Sequence, residues 1–433
     1  MKAEKFYVLQ DEKLIYGKEM SYQDQQAYLA SAELYPYEHI FFEANKKYVP
    51  YYRSWMHDVP MIVSKERDNE LRKLSEILYK CCYYYVFHYK EYLARIPYDE
   101  KVLEILSYVE DKPFRAGTYR PDYLICSDNQ LRLCEITSRF FGNGYFLSFF
   151  TEYAAKVFAA QAGVKIIKKY FEQLLNYMAY LARGRESLVV IKSADKSDSI
   201  KLYVPFYQAL GLKTTILEAY EVESNLSLLQ DAFVVSALNQ KDLLSFSDKT
   251  LSTLANAYMY NDFRTIFLLH DKRFFALFSD DDFVQKCLTK EEATFLREHT
   301  VTTYLYGFHE EIWEDARKNK DRYILKHHCL GKSESVYAGP MTSEKQWEQL
   351  FKSGDIQHMI LQPFMEQKRF PTVLNGEEIN DYVSGTILTV DNYYFGTGMF
   401  RTSTSPVINV TDAHKIAQLT TSDIDRFPNA HIL

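Results

Sequence analysis

The sequence predicts a mixed α/β chain of the α+β kind, with a helical N-terminal region, a small open α/β unit in the middle and an antiparallel sheet in the last third. Three observations carry that reading. Apolar residues recur at helical spacing through RDNELRKLSEILYKCCYYYVFHYKEYLARI, residues 67–96. Between 187 and 238, β-branched apolar runs alternate with a polar loop and a helical stretch. From 320 onward, short apolar runs are separated by turn residues.

Taken in order, residues 1 to about 110 read as largely helical. YVEDKPFRAGTYRPDYLICSDNQLRLCEITSRF then gives a turn, a strand at 122–126, a Ser-Asp-Asn hairpin turn and a strand at 131–136, which brings Asp122 and Glu135 into one neighbourhood. One amphipathic helix is expected over about 146–183, where breakers are few. SLVVIKSADKSDSIKLYVPFYQALGLKTTILEAYEV reads as strand, helix closed by Gly211, and strand, with DAFVVSAL at 231–238 a third strand of the same parallel unit. A helical segment follows over roughly 262–298. YILKHH, SVYAG, HMILQPFM, DYVSGTILTV, NYYFGTGMFRT and PVINV then read as one antiparallel sheet. No internal repeat or low-complexity linker interrupts the chain.

Length and composition bound the function. A chain of 433 residues is too long for one ordinary core and implies two or three. No apolar run approaches the roughly 20 residues needed to cross a bilayer, and MKAEKFYVLQDEK lacks the continuous apolar segment of a secretory signal. A soluble, cytoplasmic protein without a membrane partner is expected. Cys81, Cys82, Cys126, Cys134, Cys287 and Cys329 contain no CxxC pair, so they read as reduced thiols in or near the core. A net charge of −7 argues against nucleic acid as partner while leaving room for a local basic pocket. The tyrosine-rich YYYVFHYKEY fits half-buried helix faces better than a base-stacking platform.

The chemistry concentrates in RYILKHHCLGKSESVYAG, residues 322–339, where a strand carrying Lys326 runs into a polar loop containing Gly331, Lys332, Ser333 and Glu334. A strand lysine followed by a flexible loop suits a phosphate group, because the ammonium neutralises its oxygens while backbone N–H groups cover them. The loop is glycine-poor, with Gly331 its one permissive hinge. No GxxxxGK[ST] occurs, and no GxGxxG leads from a strand into a helix. His327 and His328, as neighbours on a strand, are expected to face opposite sides and not to share a metal.

The order of RPDYLI with LRLCEITSRF, then NDFRTIFLLHDKRFFALFSD, then YILKHHCLGKSESVYAG, MILQPFM and MFRTSTSPVIN resembles the circularly permuted ATP-grasp proteins. That group includes glutathionylspermidine synthetase and eukaryotic glutathione synthetase. The resemblance implies ATP and Mg2+ as cofactors. Its metal-binding pattern falls on Asp122 and Glu135, with Thr137 where asparagine is usual. The alternative is that these carboxylates pair with Arg120, Arg132 or Arg139. Nucleotide contacts fall on Lys272, Lys326, Gly331, Lys332 and Ser333, with Gln362, Phe364 and Met365 at the adenine hinge. Arg401 joins Lys326 as a catalytic cation, and Arg139, Asn143 and Asn409 become substrate contacts. The implied organisation is a helical region at 1–112, a first part of the core at 113–184, a small α/β domain at 185–260, a helical lid at 261–319 and a nucleotide-binding sheet at 320–433.

The activity so implied is an ATP-dependent carboxylate-amine ligase, in which a substrate carboxylate is phosphorylated and an amine then displaces phosphate to form an amide. The carboxylate and the amine would be small molecules or peptides. Two alternatives remain open at this level: a nucleotide-binding protein without turnover, favoured by Thr137 and the glycine-poor loop, and a kinase acting on a small hydroxylated acceptor.

Overall fold

The computed structural model describes residues 37–58, 60–138, 144–145, 147–163, 170–193, 200–331, 333–408, 414–416 and 418–420. The described residues form a mixed α/β protein with two antiparallel sheets, a four-stranded parallel sheet and a two-stranded parallel pair. Strand β1 (Met61–Val63) leads into a helix at Lys65–His88 that Ser64 caps, its hydroxyl accepting from the Arg67 N–H at 3.1 Å with Glu66 and Asp68 in the first turn. The buried face of this helix, including Leu71, Leu74, Leu78, Cys81 and Tyr85, lies in the largest apolar cluster.

β2 (Thr118–Ile125) and β3 (Leu131–Thr137) form the expected hairpin, about four residues longer at its start than the sequence suggested. The single helix expected over 146–183 is described as two helices, Leu147–Ala162 and Tyr170–Leu181. The parallel unit contains β4 (Ser187–Lys192), β5 (Lys213–Glu218), β6 (Phe233–Ala237) and an additional short strand, β7 (Tyr258–Tyr260), in the order β5-β4-β6-β7. The helix Ile200–Ala209 is the crossover between β4 and β5.

The last third departs from expectation, because its strands divide between two sheets. β8 (Tyr304–Leu305), β9 (Tyr323–His327), β10 (Val336–Ala338) and β11 (Met359–Pro363) make one antiparallel sheet in the order β10-β9-β11-β8. β12 (Arg369–Leu374), β13 (Glu377–Val390), β14 (Tyr393–Thr397), β15 (Phe400–Ser403) and β16 (His414–Ile416) join β2 and β3 in a second. A short β17 (Gln418–Thr420) pairs in parallel with β1. The 14-residue β13 is the reason for the division: it is long enough to pair with β12, β14 and β15 and still meet β2, with Thr386 opposite Asp122.

Period-two alternation then fixes which side chains face the space between the sheets. On β9 and β11, Leu325 and Leu361 enter an apolar cluster with Trp313 and Trp347, so their neighbours Ile324, Lys326 and Gln362 point to the opposite side. Among the described residues no helix is long and apolar enough to cross a membrane. None of the six cysteines is in a disulfide, and four of them are buried.

Gly385 sits opposite Tyr123 in the β13–β2 register, and a Cβ there would collide with the tyrosine ring. Gly385→Val is expected to lower the unfolding free energy by about 2–3 kcal/mol through overpacking. A shifted urea midpoint at unchanged slope would show it.

Candidate functional site

A cleft opens between the two antiparallel sheets. One wall comes from the first third of the chain and from β13 and β15, with Asp122, Glu135, Ser384 and Arg401. The other comes from β9 and β11, with Lys326 and Gln362. Leu330, Gly331 and Ser333 of the polar loop and Phe364 and Met365 after β11 close its margins.

Asp122 is 2% exposed and is held by two guanidinium groups. Arg120 Nε and Nη2 donate to its two oxygens at 2.7 and 2.9 Å, and Arg401 Nη2 adds a bond of 2.7 Å. Arg120 lies two residues before Asp122 and so on the same strand face. Arg401 pairs in register with Ser384, whose own partner across β13 is Leu124, so its side chain spans about two strand spacings, or ~10 Å, above a small serine. Burial alone would raise the Asp122 pKa; the flanking Arg120 and Arg401 outweigh it and hold the carboxyl below its usual range.

Glu135 stands directly opposite Asp122 across the β2–β3 pair and reaches Lys272 Nζ at 3.6 Å. Lys272 is buried and also donates to the Leu330 carbonyl at 2.5 Å, which ties the base of the polar loop to the carboxylate wall. Lys326 differs from these. It is 8% exposed, lines the cleft, and has no hydrogen bond or ion pair among the described residues. The cleft lining thus holds two cations, Lys326 and Arg401, and two carboxylates, Asp122 and Glu135, with Arg120 and Lys272 paired to the carboxylates from behind. Cys134, between the walls, feels Lys326, Glu135, Asp122 and Arg401 together, while burial pushes its thiol up to about 12.

The remaining sequence candidates divide. Gln362 turns its amide to Thr303 Oγ1 at 2.8 Å, a partner that sequence reasoning missed and that no local pattern announces. The Phe364 N–H donates to the Arg322 carbonyl at 2.8 Å, whereas the Met365 N–H takes no partner among the described residues. Gly331 is not the left-handed hinge of the loop: that conformation falls on Ser333 and Ser335, with φ of 60° and 52°. Arg139, Asn143, Lys332 and Asn409 lie outside the described residues.

The donor set does not fit Mg2+ as the sequence suggested. Glu135 and Thr137 share a face of β3 and offer a carboxylate and a hydroxyl, but both oxygens of Asp122 already accept from arginine. The pairing of Asp122 with Arg120 was foreseen as an alternative on a sheet surface. In the structure it is buried, and Arg401 is its second partner. A further correction concerns His327 and His328. The strand ends at His327 and the chain bends, so the two rings stack with centroids 5.0 Å apart and planes at 14° instead of facing opposite sides.

A family model described as AnkG N-terminal domain matches residues 74–268, less than half of the chain. No curated protein matches it. The family match overturns the resemblance to circularly permuted ATP-grasp proteins, because the segment that carries RPDYLI and LRLCEITSRF is similar to a different family. That resemblance rested on the order of short motifs, and an acidic hairpin followed by a lysine strand is common enough to occur without kinship. The matched segment includes Asp122 and Glu135; Lys272, Lys326, Gln362 and Arg401 follow it.

Asp122→Asn is expected to cost about 3–5 kcal/mol at pH 7 by leaving two buried guanidinium groups uncompensated. The folded-state pKa of Asp122 is depressed, so its contribution is complete above the ordinary carboxylate range and fades as pH falls below about 4. Chemical denaturation at several pH values should therefore show the gap between wild type and variant narrowing only on the acid side.

Proposed function

We propose that the cleft binds the triphosphate of ATP and that the protein is an ATP-dependent carboxylate-amine ligase of the cytoplasm, acting on small-molecule or peptide substrates and not on nucleic acid. The observation that carries this reading is Lys326, a largely buried lysine that lines the cleft without an anionic partner among the described residues. A phosphate group supplies an anionic partner for this ammonium. The unpartnered Met365 amide at the margin of the cleft is suited to a base edge.

In this reading the side chains act by position and charge. Lys326 and Arg401 draw the γ-phosphoryl group and the substrate carboxylate together against their mutual repulsion, a role for which a planar guanidinium is well shaped. The carboxylate oxygen attacks phosphorus and ADP leaves. The amine nitrogen then attacks the acyl carbon, losing a proton as phosphate departs, and an amide forms. Leu330, held by Lys272, with Gly331 and Ser333 at the margin of the cleft, would in this reading keep water from the acyl phosphate. No protein nucleophile is needed, in keeping with Cys134 being held as a neutral thiol by burial. Any metal would come with the nucleotide, and no step is assigned to it.

A second reading, nucleotide binding without turnover, is favoured by one observation: Asp122 is committed to Arg120 and Arg401. ADP release measured with pools of acids and amines, with and without Mg2+, separates the two. Hydroxylamine trapping of an acyl phosphate distinguishes the ligase from a kinase.

Lys326→Met is expected to leave the unliganded melting temperature unchanged or raised, since it removes an unpaired buried charge. It should also weaken nucleotide binding by about tenfold or more. Glu135→Gln is expected to lose ADP release. Thermal shift and turnover assays with Mg2+-ATP check both variants, and unaltered behaviour in both would sink the assignment.

A further inference from the structure

We infer a second site, for a thiophilic divalent cation of the zinc type, at His327, His328 and Cys329, where β9 ends one residue beyond the cleft-facing Lys326. The ligand atoms of these three residues lie within 4.8 Å of one another. Cys329 Sγ and His327 Nδ1 are already 3.6 Å apart, close to the ~3.5 Å separation that a tetrahedral ion imposes on a sulfur and a nitrogen ligand.

Three further features favour a metal over a chance grouping. His328 Nδ1 meets Asp271 Oδ2 at 3.2 Å, and the buried Asp271 is itself clamped by Arg273, whose Nη2 donates at 2.6 Å. A carboxylate behind one ring nitrogen fixes the tautomer and leaves the other nitrogen to bind, as in many zinc sites. His358 stacks beside both rings, with centroids 5.9 and 6.1 Å away, and is exposed, so it is available as a fourth ligand on a side open to solvent. Binding exchanges the Cys329 thiol proton for the metal, so the thiolate offsets part of the charge of the dication. Histidine with cysteine selects zinc or a similar soft ion over Mg2+ or Ca2+.

The site bears on the cleft without being part of it. Cys329 is followed by Leu330, whose carbonyl Lys272 holds, so a metal here would fix the base of the polar loop.

The test uses the full chain, stripped of metal by chelation. Zn2+ is titrated in competition with a chromophoric chelator, and Co2+ serves as a spectroscopic probe. One equivalent of zinc and a cobalt–thiolate charge-transfer band are expected. Cys329→Ser is expected to lose the band and to weaken zinc binding by more than about tenfold, while Cys287→Ser keeps both. Should Cys329→Ser not fold, as judged by its melting, His328→Ala is read for the same loss of affinity. Absence of stoichiometric zinc uptake by the wild-type chain, or uptake unchanged in Cys329→Ser and His328→Ala, overturns the inference.

Discussion

The Arg120–Asp122–Arg401 cluster is the constraint around which the molecule is organised. It joins a strand from the first third of the chain to one near its end, through side chains buried to a few per cent. Buried ion pairs add little net stability compared with apolar packing, because desolvation offsets attraction. Their effect is on specificity: a slip of β13 or β15 by one residue would turn Arg401 to the opposite face and leave Asp122 with one partner fewer. The pairing thus fixes the register of the sheet that forms one wall of the cleft.

That register sets the charge balance between the sheets. Asp122 consumes two guanidinium groups, Glu135 engages Lys272, and Lys326 on the facing sheet is left over. The same lysine strand carries Leu325 into the Trp313 and Trp347 cluster, so the residue that orients Lys326 is an ordinary apolar neighbour. A hydrophobic contact on one face of β9 thereby holds a cation on the other, turned into the cleft.

Much of this was legible locally. The hairpin around Asp122 and Glu135, the parallel unit and the alternation that points Lys326 away from Leu325 all follow from spacing within a few residues. What was hidden depends on contacts distant in sequence. Nothing near Arg401 signals that it reaches Asp122, and the division of the last third into two sheets becomes apparent only once β13 is seen to pair with β2. The loop misled for another reason. Glycine is the usual bearer of a left-handed conformation, and here two serines adopt it, so composition pointed to Gly331 and not to Ser333 and Ser335. The histidine pair misled because strand alternation holds only while the strand continues, and β9 stops at His327. The motif order that suggested ATP-grasp kinship belongs to the same class of error, since order along a chain is weaker evidence of descent than a match over a continuous segment.

The bond between Arg401 and Asp122 spans 279 positions in sequence. At ribosomal rates of about 5–20 residues per second, the hairpin of β2 and β3 is synthesised roughly 15 to 55 seconds before the strand that completes its surroundings. During that interval the edge later covered by β13 stands open on the nascent chain. Arg120, made two residues earlier, is already at hand to neutralise the carboxylate. The local half of the ion cluster can therefore form while the rest of the sheet is still missing, so that Asp122 has a partner before the distant arginine emerges.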